Sequence, residues 1–368
     1  MTGTNAIDGK IKRFIRQDIV SMHAYAIQES KGMVKLDAME NPHRLPLDLQ
    51  QQLGERLGKL ALNRYPDGRV NDLRTALAAY ADMPQGFDIM LGNGSDELIE
   101  LLALACDVPG ACILAPLPGF VMYAMSAQLQ GLKFVGVDLT ADFELDLPAM
   151  LAAIAEHKPA ITYLAYPNNP TANLWDERSM AAIIAKVGEQ GGLVVLDEAY
   201  QPFSSKTYLD TIRANPAIHQ HVLLMRTLSK FGLAGVRIGY MMGPQALIGE
   251  IDKVRPPYNI SVLNYECALF ALEHKDVFAD QASELICQRA MLFDALSVIP
   301  NVKAFKSDAN MMLLRVPDPQ KTFDGMKARG VLIKNVSNMH PLLAGCLRLT
   351  VGTAEENATM LAAIKASL

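Results

Sequence analysis

Apolar positions along the chain fall into short continuous runs alternating with stretches of helical spacing. Residues 98–106 (LIELLALAC) have the helical pattern, and 111–115 (ACILA) is a short apolar run. Residues 149–156 are again helical, and 160–165 (AITYLA) are strand-like. After helical 180–190 come 193–196 (LVVL), a buried strand ending at Asp197, and 221–225 (HVLLM), a further run of the same kind. Short runs apolar on both faces and separated by helices predict parallel strands with crossover helices. The expected fold class is α/β, with a large, mixed but mostly parallel-sheet domain over 45–270. Beyond residue 270 the texture changes. A long helical stretch (276–297) precedes strand-like pieces at 302–305, 311–316, 331–334 and 346–351, and a helix follows from Ala354. That pattern predicts a smaller α+β domain over 271–368. The charged segment 1–44 cannot bury a core of its own and is expected to pack on the small domain or on a partner subunit. No period of 20–50 residues recurs, which excludes solenoids and propellers.

Composition narrows the class. Of 368 residues, 50% are hydrophobic and 20% charged, ample for a large core and unlike a disordered chain. With 34 basic against 39 acidic residues the net charge is −5. Nothing in that balance attracts nucleic acid or anionic lipid, although a local basic pocket for a small anion is compatible with it. Cys106, Cys112, Cys267, Cys287 and Cys346 show no C-x-x-C and no metal-ligand spacing, so free thiols in a reducing compartment are expected, with no bound metal. The first thirty residues lack a signal-peptide core. The uncharged stretch 108–132 is broken by Pro109, Gly110, Pro116, Pro118, Gly119 and Gly131, which argues against a lipid-facing helix. A soluble, cytoplasmic protein is expected.

In an open parallel sheet, ligands bind beyond the carboxyl ends of the strands, and five loops there carry complementary chemistry. Gly92-Asn93-Gly94-Ser95-Asp96-Glu97 precedes a helix, where free N–H groups and the dipole could cradle a phosphate, or where the polar residues simply cap. Pro167-Asn168-Asn169-Pro170-Thr171 reads equally as a turn. Asp197, in Leu196-Asp197-Glu198-Ala199-Tyr200, ends a buried strand; it needs a cation or several donors, or is one half of a structural ion pair. Lys230, in Arg226-Thr227-Leu228-Ser229-Lys230-Phe231-Gly232, is bracketed by hydroxyls and apolar, glycine-rich text, with Arg237 seven residues on. A desolvated amine there becomes a nucleophile suited to Schiff-base chemistry. Arg348 interrupts the apolar strand 346–351, either to reach an anion or to pack its stem at the edge.

Taken together and in order, Gly94-Ser95-Asp96, Tyr123, Asn169-Pro170-Thr171, Asp197 with Tyr200, Ser229-Lys230, Arg237 and Arg348 resemble the fold-type I pyridoxal-phosphate enzymes, the aspartate aminotransferase superfamily, over essentially the whole chain. The resemblance implies pyridoxal 5'-phosphate as cofactor, with Lys230 holding it covalently and then shuttling a proton. Asp197 would pair with the pyridine nitrogen and keep it protonated. Asn169 and Tyr200 would hydrogen-bond the phenolic oxygen, and Tyr123 would stack on the ring. The Gly94–Asp96 backbone, Thr227, Ser229 and Arg237 would gather the phosphate. Tyr65, in Arg64-Tyr65-Pro66, matches a tyrosine that reaches the phosphate from the other subunit, implying a homodimer with shared active sites.

Within the superfamily, Leu36-Asp37-Ala38-Met39-Glu40-Asn41-Pro42, Arg64-Tyr65-Pro66, Gly92–Glu97 and Gly345–Gly352 are similar to the histidinol-phosphate aminotransferases. That likeness implies amino exchange between L-histidinol phosphate and 2-oxoglutarate, with glutamate as the other amino acid, in histidine biosynthesis. Arg348 would clamp an anionic group, and Tyr25 would close over the substrate phosphate. An aromatic amino-acid aminotransferase and a threonine-phosphate decarboxylase are the alternatives on the same scaffold. Several positions depart from the pattern. Met39 replaces an Asn. The Lys230–Arg237 spacing is one residue short. Ala172 stands where Gly is usual, tolerable if its φ is negative. Lys334 replaces an arginine facing the substrate, leaving a point charge that attracts an anion with less discrimination, or else a solvent-facing strand-end lysine.

Overall fold

The computed structural model describes residues 4–22, 28–66 and 69–368. The chain divides into a short unit, up to Gly32, and a main unit over 33–368. The former contains helices Thr4–Phe14 and Gln17–Val20. Tyr25 lies outside the described residues.

In the main unit, β1 (Val34–Lys35) is followed by β2 (Phe87–Gly92), β3 (Cys112–Leu117), β4 (Lys133–Asp138), β5 (Ile161–Ala165), β6 (Leu193–Asp197), β7 (Val222–Thr227) and β8 (Gly239–Pro244). Strands β2 to β8 form one sheet in the order β2-β8-β7-β6-β5-β3-β4. The pairs from β7 through β4 are parallel, whereas β8 runs antiparallel to both β2 and β7. Only residues 228–238 separate β7 from β8, too short a connection for a crossover helix, so the chain must turn straight back. That return places Lys230 and Arg237 on one short loop at the carboxyl end of β7.

The pleat divides the sheet's side chains between two apolar cores. Val194, Leu196, Leu224 and Met242 face one, and Tyr163, Val195, Leu223, Met225 and Met241 face the other. Asp197 and Thr227 continue the second set, while Glu198 and Arg226 continue the first. Residues 108–132 hold β3 and helix Val121–Gln130, and no helix among the described residues is long and apolar enough to cross a membrane.

A second, four-stranded antiparallel sheet contains β9 (Lys303–Ala304), β10 (Met311–Arg315), β12 (Lys334–Asn335) and β13 (Cys346–Thr350), in the order β12-β13-β10-β9. The run 331–334, expected as one strand, is two. Val331–Leu332 forms β11 and pairs in parallel with β1, whereas Lys334 onward pairs with β13. A buried Ile333 sits where the chain changes partner. Helices Lys275–Ser297 and Ala354–Lys365 contribute Leu285, Leu292, Met360 and Ile364 to the core of this region, which also takes Leu36 beside β1.

Candidate active site

A cavity opens at the carboxyl ends of β5, β6 and β7, and both Lys230 and Asp197 line it. Asp197 is the last residue of β6. Desolvation raises its pKa to about 6, an effect opposed by two donors. The Tyr123 hydroxyl donates to Oδ2 at 2.6 Å, and the Ala199 N–H donates to Oδ1 at 3.0 Å. Among the described residues, no lysine or arginine pairs with it. Lys230 Nζ donates to the Ala38 carbonyl at 3.0 Å and lies 5.9 Å from the centroid of the Tyr200 ring. Burial, and then the nearby Arg348 charge, lower its pKa to about 8.

Beside this pair an anion cradle is built from backbone, hydroxyls and one guanidinium. Gly94 precedes helix Ser95–Ala105 with φ 84°, and a Cβ there would lie 2.5 Å from Arg237 Nη2. Ser95, Thr227, Ser229 and Arg237 all face the cavity. Thr227 Oγ1 donates to Ser229 Oγ at 3.0 Å; Arg237 reaches Ser229 Oγ at 3.3 Å and the Asp96 carboxylate at 3.5 Å. The shorter loop still delivers Arg237. It does so through a wide helical turn at Ser229–Leu233, a Gly232 at φ 140° and Arg237 itself at φ 56°.

Asn169 links the cavity to the second sheet. Its Nδ2 donates to the Tyr200 hydroxyl at 3.0 Å, and its Oδ1 accepts from Arg348 Nη1 at 2.7 Å. Arg348 also donates to the Asp37 carbonyl at 2.9 Å. Lys334 stands directly opposite Arg348 across the β12–β13 pair, on the same face of that sheet. Tyr65 is 75% exposed, stacks on Tyr258 at 4.4 Å, and does not line the cavity. Ala172 corrects an expectation. Its φ is 63°, the left-handed region the sequence reading required it to avoid, and its side chain is buried.

Several neighbours carried little or no signal in the sequence. Met39 lines the cavity at φ 52°, held by its N–H to Thr350 Oγ1 and its carbonyl to Asn310 Nδ2, both at 3.0 Å. Tyr163 stacks on Tyr123 with centroids 4.2 Å apart and planes at 8°, and Phe120 meets Tyr123 edge-on at 5.6 Å. Behind the cavity, Glu198 and Arg226 form a buried ion pair at 2.8 Å. Both are adjacent in sequence to residues that were singled out, which is the one signal that could have found them.

A half-buried lysine and a buried aspartate share a cavity on a mixed, mostly parallel seven-stranded sheet with a smaller antiparallel sheet beside it, the arrangement expected of a fold-type I pyridoxal-phosphate enzyme. The sequence model of the family described as aminotransferase class I and II matches residues 31–364. The histidinol-phosphate aminotransferase of Polaromonas naphthalenivorans is 76% identical over 364 residues, 99% of each chain. That of Methylibium petroleiphilum is 65% identical over 374 residues, the whole of both. The chain therefore belongs to the class I and II aminotransferases and, within them, to the histidinol-phosphate aminotransferase family. The crystal structure of histidinol-phosphate aminotransferase from Sinorhizobium meliloti in complex with pyridoxal-5'-phosphate shares its fold, with TM-score 0.83, 22% identity and 96% of each chain covered. L-threonine-O-3-phosphate decarboxylase from Porphyromonas gingivalis does too, with TM-score 0.76, 21% identity, 90% of this chain and 98% of that one. The fold by itself does not separate these chemistries.

Proposed function

We propose that this enzyme exchanges an amino group between L-histidinol phosphate and 2-oxoglutarate, releasing glutamate, with pyridoxal 5'-phosphate as cofactor, as a step of histidine biosynthesis in the cytoplasm. Identity of 76% along essentially the full length of a histidinol-phosphate aminotransferase carries the choice of substrate.

The residues present fit the cofactor. Asp197 is a buried acid with donors but no cation, so a protonated ring nitrogen completes it. The bare Gly94 lets the Arg237 guanidinium approach the start of the helix, where a Cβ would lie 2.5 Å from Nη2, and Ser95, Thr227, Ser229 and Arg237 line the cavity with donors that suit a phosphate. Bound there, the cofactor supplies an electron sink for charge developing at the substrate α-carbon and a carrier for the amino group. Lys230 would hold it through its amine and, once freed, would serve as the base and acid that carries a proton between the substrate α-carbon and the cofactor carbon. A pKa near 8 suits that task, because a useful fraction of the amine is neutral at physiological pH. Asp197 keeps the proton on the ring nitrogen. Asn169 and Tyr200 orient the ring oxygen, and Tyr123 covers the ring face. Ser95, Asp96, Thr227, Ser229 and Arg237 bind the phosphate with the helix N-terminus.

Arg348, beside Asn169, clamps the anionic end of each substrate in turn, and Lys334 adds a second positive charge on the same face. Tyr25 closes over the substrate phosphate. In the proposed homodimer, Tyr65 reaches the phosphate of the partner's cofactor, which accounts for the exposure of this ring in the single chain. Residues 45–270 act as the large cofactor domain and 271–368 as the small domain, with 1–44 packing on the small domain or on the other subunit.

The test is a half-reaction. Cofactor-loaded protein is mixed separately with L-histidinol phosphate, phenylalanine and phosphothreonine, and conversion of the cofactor to its amine form is followed by absorbance. Conversion is expected to be fastest with L-histidinol phosphate. Conversion by phenylalanine alone would overturn the assignment.

A further inference from the structure

In the mechanism above Tyr123 serves only as a surface for the cofactor ring, yet its hydroxyl makes the shortest polar contact to Asp197, 2.6 Å to Oδ2, with both residues buried. The phenol is held on that line. Tyr163, which does not line the cavity, stacks flat against Tyr123 at 4.2 Å, and Phe120 closes its edge at 5.6 Å. Swinging the hydroxyl away from Asp197 would break both ring contacts.

We propose that Tyr123 is a positioning residue for Asp197: its phenol fixes one carboxylate oxygen and keeps the acid ionised, ready to face a protonated ring nitrogen. The proposal rests on the cofactor reading given above. A hydroxyl donating to a carboxylate favours its charged form. The groups facing Asp197 from the surrounding elements make that help necessary. Burial, and the negative charges of Asp96 and Glu198, push the carboxyl toward its neutral form, and the Tyr123 hydroxyl and the Ala199 N–H oppose them. Lys230 and Arg237 face the same cavity without bonding to the acid, and Tyr163 and Tyr200 are phenols made harder to ionise first by burial and then by the charge of Asp197. A stacking aromatic without a hydroxyl would leave one donor where there are now two.

Tyr123→Phe keeps the ring and removes only the donor. The probe is pyridoxamine 5'-phosphate, which cannot bond covalently to Lys230, so covalent attachment does not enter the measurement, and the lysine's titration is common to parent and Tyr123→Phe and cancels in the difference. Its dissociation constant is measured from acid to mildly alkaline pH for the parent, Tyr123→Phe and Asp197→Asn, with the thermal midpoint of each cofactor-free protein recorded alongside. In the parent, affinity falls on the acid side as Asp197 takes up a proton. In Tyr123→Phe the fall is expected about one pH unit higher, which is roughly a fivefold loss near pH 6, approaching tenfold below about pH 5, with affinity preserved near pH 8. Titration of the probe's phosphate is common to both proteins and cancels in the difference. Asp197→Asn should bind weakly and keep only the part of the acid-side fall that belongs to the probe's phosphate, well short of the parent's full fall.

Superimposable profiles for Tyr123→Phe and the parent would overturn the proposal, as would a uniform loss at every pH tracking a lowered thermal midpoint. If the parent's acid-side fall persists in full in Asp197→Asn, the pairing of Asp197 with the ring nitrogen fails, and with it the ground for this inference. A parent that responds to Asp197→Asn but not to Tyr123→Phe defeats the role of the phenol alone.

Discussion

Asp197 and Glu198 are neighbouring buried acids at the end of the same strand, and the molecule treats them oppositely. The pleat sends Asp197 to the cavity and Glu198 to the far face. Glu198 accepts from Arg226 Nε at 3.0 Å and Nη2 at 2.8 Å, from the Thr207 hydroxyl at 2.8 Å, and from the Tyr208 N–H at 2.6 Å. Asp197 receives one hydroxyl and one N–H and no cation. The same division holds on β7, where Arg226 turns to the ion pair and Thr227 to the cradle. A buried charge with a full set of partners ties strands together, whereas one left short of a counter-charge marks the place where a ligand supplies it.

Lys230 extends the contrast, being a half-buried amine whose hydrogen bond is to a backbone carbonyl and which forms no ion pair among the described residues. Lys230→Ala should lower kcat by at least about a thousandfold, as expected for removal of the group that moves the proton. It should also prevent borohydride from fixing the cofactor to the chain, a change read by intact mass. Retained turnover would remove the lysine from the mechanism. Next in size is the ion pair. Arg226→Leu strands Glu198 without a cation and should cost about 3–5 kcal/mol of folding stability in denaturant unfolding, whereas replacing both partners by apolar residues should cost much less. Equal losses in the single and double variants would mean that the pair does not act as a unit.

Asp197→Asn should behave the other way round. Because the folded protein holds this acid's pKa near 6, above its usual value near 3.8, stability attached to the protonated form is present below about pH 4 and lost as pH rises through 6. Removing the titration should therefore make the cofactor-free variant more stable than the parent at pH 7 by on the order of 3 kcal/mol, with the gain vanishing toward pH 4. A cofactor-free variant less stable than the parent at pH 7 would break the comparison. The smallest effect is expected at Tyr163, whose hydroxyl is buried with no hydrogen-bond partner among the described residues. Tyr163→Phe keeps the stack and should change stability by less than about 1 kcal/mol, with any change favourable. A larger loss would reveal a partner for that oxygen.

Much of this was legible in the chain because the strands that carry the chemistry are the most apolar. The runs ending at Ala165, Asp197 and near Thr227 could be placed by pattern, and the polar residues after them became the site. What stayed hidden depended on contacts between distant segments. β8 (GYMMGP) lacks β-branched residues and owes its direction to the length of the loop before it. The split of 331–334 follows from a change of partner strand, which no local pattern encodes. The left-handed backbone at Ala172 and Met39 runs against residue preference and is set by surrounding packing. Glu198 and Arg226 were visible as charges, but which charge each would meet was not. Tyr163 read as one more strand residue until its ring was seen against Tyr123.

The hairpin return between β7 and β8 bears on how this enzyme can be altered. One brief peptide carries the amine proposed to react near its start and the guanidinium proposed to grip the phosphate at its finish, both lining one cavity, so on that reading it works as a measuring stick whose length sets where the two ends of one molecule are grasped. Point changes within it adjust strength of grip. Adding or deleting a single unit would shift one end against the other, at a loop whose last turn already holds Arg237 in the left-handed region.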